Sequence, residues 1–151
     1  MHIALLALAL VVTGTLVGVE LMVAAIAAPL FSRLPGETGL LARADSARVM
    51  GRLMPWWYAG AILLVLLSAV TAEGADRTVL AGASGALLVV GIVLSIVLLV
   101  PINNRVRTWD CDERGAPSDW RAQLSRWDGW HVGRVGVIFT GFVLLAVAAV
   151  I

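Results

Sequence analysis

Residues 78–100 read Thr78-Val-Leu-Ala-Gly-Ala-Ser-Gly-Ala-Leu-Leu-Val-Val-Gly-Ile-Val-Leu-Ser-Ile-Val-Leu-Leu-Val100, without one charged side chain. A run of this kind has the ~20 apolar residues an α-helix needs to cross the ~30 Å hydrocarbon core of a bilayer. In that core every backbone N–H and C=O has to be satisfied within the segment, which a helix achieves by itself. Pro101 marks the end of the run.

Three further stretches follow the same pattern. Residues 3–31 are apolar except for Glu20 and end near Pro29; residues 55–72 begin with Pro55; residues 132–151 carry only Arg134. A polar helical run from about Ser118 leads into the last, with Ser118 placed as an N-cap and Asp119 in the first turn. The expectation is an all-α fold: an integral membrane four-helix bundle, one domain over 1–151, with an extended, partly interfacial fourth helix. An Ala/Arg-rich piece of the first loop, Leu40–Leu53, is expected as a separate interfacial helix.

Composition agrees. Hydrophobic residues make up 60% and charged residues 14%, against about 45–50% and 25% in soluble domains. The net charge of +1 and the absence of a basic tail or stripe argue against a nucleic-acid partner. The partners expected are membrane lipid and a hydrophobic small molecule, with a homo-oligomer left open. The N-terminus lacks the charged start of a signal peptide, and its apolar run is too long for one. Cys111 lies in a polar loop and is read as incidental.

Arginine sets the expected orientation. The first loop holds Arg33, Arg43, Arg48 and Arg52; the third holds Arg105, Arg107 and Arg114, with Arg121 and Arg126 just beyond; the second holds Arg77 alone. Positive residues accumulate on the cytoplasmic side. The chain is therefore expected as a multi-pass cell-membrane protein with both long loops in the cytoplasm and both termini outside. All six tryptophans and the one tyrosine, Tyr58, map toward that arginine-rich end. Anchoring alone would place girdles at both interfaces, so an aromatic-lined pocket is expected there.

The candidate site residues cluster at the same level. At about 100° per residue, Trp120, Leu124, Trp127, His131 and Arg134 share one helical face, whereas Gly129, Gly133 and Gly136 lie on the opposite one. That glycine set, and Gly14 with Gly18 in the first span, are expected to serve close helix packing. Trp130 is read either as an interfacial anchor or as part of the pocket. A carboxylate at Glu20 is expensive in hydrocarbon and is expected to face the bundle interior. The step along the chain from Ile3 to Glu20 equals the step from Arg134 to Ile151. The two therefore sit at matched depth, and a Glu20–Arg134 pair or a Glu20–His131 hydrogen bond is expected. Asn103 and Asn104, just past Pro101, are placed to cap helix ends or to bind a ligand.

Pro101-x-Asn103-Asn104, Trp120, Trp127 and His131-x-x-Arg134, with Glu20 in the first span, resemble the anthrone oxygenase-like family of small four-helix membrane proteins. The specific part of the resemblance is 101–134. It implies an oxygenase that needs no metal or other cofactor. His131 would be the base, Arg134 and Asn104 would stabilise developing negative charge, and Glu20 would orient His131 or balance Arg134. Trp120, Trp127, Asn103 and Trp130 would hold the substrate. Two other classes stay open: a proton-coupled small-molecule transporter and a non-catalytic membrane accessory protein. A metal held by Glu20, His131 and the 110–113 acidic-cysteine cluster is a further alternative.

Overall fold

The structure, a computed structural model, describes residues 2–35, 37–109 and 116–151. It is helical, with no strand among the described residues, and four helical segments are long and apolar enough to cross a membrane. They are Ile3–Arg33, Thr38–Val70, Ala75–Val106 and Trp120–Val150. The chain is a four-helix membrane bundle.

Two of the four segments change pitch midway. In the first, α1 (His2–Met22) passes through a π-helical turn, Val23–Ala27, into α2 (Ala28–Arg33). In the third, α4 (Ala75–Leu94) passes through a second π turn, Ser95–Leu99, into α5 (Val100–Val106). Each π turn directly precedes a proline in the first turn of the next helix, Pro29 and Pro101. A helical proline lacks the N–H for the carbonyl four residues back and clashes with it. A locally wider turn makes room for that clash. The chain therefore stays helical past both prolines, and neither closes its span as the sequence implies.

The second segment is one helix, α3 (Thr38–Val70), with Pro55 inside it. The expected interfacial helix and second span are thus a single rod. Its 33 residues extend about 50 Å at about 1.5 Å per residue, well beyond the hydrocarbon core. Gly74, at φ 99°, turns the chain between α3 and α4, a backbone conformation that suits glycine. The last segment, α6 (Trp120–Val150), begins with Asp119 rather than Ser118 at the cap position. Asp119 makes no capping bond and instead accepts one from Gln123 Nε2 at 3.0 Å.

The main core joins all four segments through Leu16, Tyr58, Val65, Leu88, Ile138 and Leu145. A second cluster at the arginine-rich end holds Leu40, Ala44, Val106, Trp109 and Leu124, with Trp120 against it. Large apolar side chains such as Val70, Val79, Ile96 and Val97 point outward, as helices solvated by lipid require.

The close approaches between helices use one glycine the sequence singles out, Gly14, and others it does not. A Cβ on Gly91 would meet Ile138 Cγ2 at 2.5 Å, and one on Gly141 would meet Ser84 O at 3.3 Å. These contacts join α4 to α6. Gly14 does pack, against Phe142, but Gly18, Gly129, Gly133 and Gly136 face open space. The helix-four glycine stripe is therefore not a packing face within the chain. The polar face opposite it takes the interior position, because Arg134 and His131 have partners there.

Candidate functional site

Glu20 lies in the last turn of α1, ahead of the first π segment, and Ser95 opens the second. Both face α6, so the two irregular turns flank one polar cluster. Glu20, His131 and Arg134 are each at most 6% exposed. Arg134 Nη2 donates to Glu20 Oε2 at 2.5 Å, and Arg134 Nη1 donates to Ser95 Oγ at 2.8 Å and to the Tyr58 hydroxyl at 3.0 Å. Tyr58 in turn donates to Glu20 Oε1 at 3.1 Å. Carboxylate, guanidinium and phenol thus close a ring of hydrogen bonds. Such closure is what makes a buried ion pair tolerable, since each unmet charge in a dry interior costs several kcal/mol.

The neighbours of His131 fix its tautomer. Nε2 lies 3.2 Å from the Glu20 backbone oxygen, an acceptor, so it carries the proton. Nδ1 lies 3.0 Å from Arg134 Nη2, a donor, so it offers its lone pair. The ring is neutral, with Nδ1 3.7 Å from Glu20 Oε2. Trp127 stacks on it, centroids 4.6 Å apart and planes 11° from parallel.

This cluster forms one wall of a cavity of about 300 Å³, at the small end of the range for small-molecule sites. Apolar side chains such as Met50, Met54, Ile92 and Leu99 make most of the rest. Arg43, from the first loop in the sequence reading but from α3 in the structure, closes another side. Both its terminal nitrogens bond Asp128, at 2.6 and 2.8 Å, and Nη2 also donates to the Ala28 carbonyl at 3.2 Å. Its guanidinium carbon lies 5.8 Å from the Trp127 ring centroid.

Glu20, Asn103, Trp127, His131 and Arg134 all border this cavity. Asn104 does not; it is exposed, because consecutive helical residues point about 100° apart. Trp120 packs in the second cluster and borders a separate outer pocket, with Arg121 stacked 4.3 Å from its centroid. Trp130 is 48% exposed, an anchor position. Trp56 is exposed too, and Trp57 donates to the Val12 carbonyl at 3.2 Å. The expected aromatic lining is therefore Trp127 with Tyr58 and Phe31 on a largely aliphatic cavity, and the other tryptophans lie elsewhere. The 110–113 cluster lies outside the described residues.

Three residues of the site are not singled out by the sequence: Ser95, Arg43 and Asp128. Tyr58, the only tyrosine in the chain, is expected among the pocket aromatics, and the structure adds its hydrogen bonds with Glu20 and Arg134. Ser95 is one hydroxyl in an apolar run, and nothing local sets it apart. Arg43 looks like one more positive-inside residue.

Fold and site together define the class: a membrane four-helix bundle that presses a carboxylate–guanidinium–imidazole set against an apolar cavity. A family model described as anthrone oxygenase matches residues 44–144, two thirds of the chain, and the protein belongs to that family. The matched stretch contains Tyr58, Ser95, Asn103, Trp127, His131 and Arg134, while Glu20 and Arg43 lie before it. No curated protein and no solved structure matches the chain.

Proposed function

We propose that the protein is a membrane-embedded oxygenase that oxidises an anthrone-type aromatic carbon acid with dioxygen. The observation that carries this is a neutral imidazole with a lone pair on Nδ1, bordering an apolar cavity between a fixed guanidinium and a carboxylate. The methylene of the substrate loses a proton to His131 Nδ1, in place of the hydrogen bond from Arg134. The imidazolium so formed has Glu20 Oε2 at 3.7 Å to balance it. Its second N–H stays on the Glu20 carbonyl, so the ring need not turn.

Arg134 then has a free N–H for the enolate oxygen, and Asn103 supplies a neutral donor nearby; donors aimed at developing charge are a large term in catalysis. The electron-rich carbanion reduces dioxygen and forms a C–O bond to it. The resulting peroxide takes back the proton, and the carbon loses its second hydrogen as the O–O bond breaks. One oxygen atom becomes the new carbonyl and the other leaves as water. All four electrons that reduce dioxygen come from the substrate methylene.

The arginine-rich end, which holds the site, is taken to face the cytoplasm. The internal pairing of Glu20 to Arg134 favours this reading over a proton-coupled transporter, in which the carboxylate would have to be released for each cycle. Oxygen uptake by the purified protein with an anthrone is the test. His131→Ala is expected to lower the rate by roughly 10²–10⁴, the usual contribution of a general base, while the protein remains folded. Uptake undiminished in that variant removes His131 from the chemistry. No uptake by the parent protein with any anthrone removes the oxygenase assignment.

A further inference from the structure

The cavity has a closed wall and an open one, and they differ in chemistry. Phe31, Arg43 and Leu124 border both this cavity and the outer pocket, so they form the partition between the two. None of the three is exposed. Arg43 is pinned there by both oxygens of Asp128 and by the Ala28 carbonyl, and bidentate pairs of this kind hold their geometry well.

Among the described residues bordering the cavity, only Gly51, Pro55, Ile96 and Val100 are exposed. They form two pairs, each spaced by about one helical turn. One pair is on α3; the other runs from the second π turn into α5. None is charged, and Gly51 has no side chain of its own; the Arg107 guanidinium lies beside it, with Nη1 3.7 Å from where a Cβ would stand. Pro55 has no N–H to give to the Gly51 carbonyl, so an acceptor without its helical donor sits at this rim. Depth follows from position along the helices. Val70 and Thr78 mark the far ends of the two apolar runs that reach this rim. At about 1.5 Å per residue, Pro55 lies about 23 Å from the first and Val100 about 33 Å from the second. The rim thus lies near one edge of a ~30 Å core, where a flat, phenol-bearing molecule would rest.

We propose that Gly51, Pro55, Ile96 and Val100 frame a lateral portal through which an uncharged planar aromatic passes between bilayer and cavity, with the Arg43–Asp128 pair keeping the water side shut. The substrate class rests on the oxygenase reading; the portal rests on the geometry. An opening to lipid and not to water also suits a carbanion, because it limits proton return from bulk water.

The experiment uses 1,8-dihydroxyanthraquinone, a planar ligand with no methylene to oxidise, and full-length protein in phosphatidylcholine–phosphatidylglycerol vesicles. Association is followed by quenching of tryptophan fluorescence. Gly51→Phe and Val100→Phe, both at exposed positions, are expected to slow association about tenfold or more, within the range over which single substitutions move association rates. Val93→Phe, on a lipid-facing position away from the cavity, is expected to leave it unchanged. In the parent protein the rate is expected to follow the ratio of ligand to lipid, so that empty vesicles added at constant total ligand slow it. Equal rates in all four proteins, a rate set by aqueous concentration alone, or no binding to the parent overturns the portal. Slowed association without oxygen uptake from any anthrone keeps the portal and removes the oxygenase reading. Oxygen uptake with unaltered association in both rim variants does the reverse.

Discussion

Arg134 shows how one side chain ties four helices together at the wall of a cavity. Its two terminal nitrogens reach Glu20, Tyr58, Ser95 and His131, drawing on every transmembrane segment. A guanidinium spreads its donors in a rigid fork, which an ammonium cannot copy. Arg134→Ala strands the Glu20 carboxylate at 4% exposure and is expected to destabilise the protein by about 3–5 kcal/mol, the cost of breaking a buried pair from one side. Denaturant unfolding in detergent measures this. Removing both charges together, as Glu20→Gln with Arg134→Met, is expected to recover much of that loss and still leave the protein inactive. A double variant as unstable as Arg134→Ala alone would show that the ion pair is not the source of the loss. Tyr58→Phe removes the bridge between the pair while keeping the ring, and is expected to cost about 1–3 kcal/mol, as for a hydrogen bond to a charged group.

At the scale of the helices, the packing of α4 on α6 depends on glycines that the sequence pattern did not separate from the rest. Gly91→Ala places a methyl group 2.5 Å from Ile138 Cγ2, where the core has no slack, and is expected to destabilise by about 1–3 kcal/mol. Gly133→Ala meets nothing within 4 Å. It is expected to be neutral or to stabilise by up to about 1 kcal/mol through helix propensity. Unfolding of the two variants side by side decides between the observed packing and the expected glycine stripe. A loss in Gly133→Ala equal to that in Gly91→Ala would mean that the stripe does pack, against another molecule. The π turns act at this scale too. They let Pro29 and Pro101 remain helical, and they bracket the polar cluster through Glu20 and Ser95. Irregular turns of this kind recur at functional sites.

For the whole molecule, arginine placement sets the expected orientation. A membrane-impermeant thiol reagent is expected to leave Cys111 unlabelled in intact cells and to label it after lysis, because its loop belongs to the arginine-rich end. Labelling in intact cells would reverse the orientation. The sequence by itself determined the number of spans, the helical class and the depth match of Glu20 with Arg134. Those properties depend on local counts: runs of apolar residues, charges per loop, and the constant rise of a helix from one residue to the next. Even Trp127, His131 and Arg134 on one face follow from the helical period. Which face turns inward, and what it meets, does not. That Tyr58 and Ser95 close the Glu20–Arg134 ring, that Asn103 and not Asn104 borders the cavity, and that Gly91 and not Gly133 packs were decided by the rotation of four helices about their axes. That rotation is set by contacts among residues distant in sequence, and no local pattern encodes it.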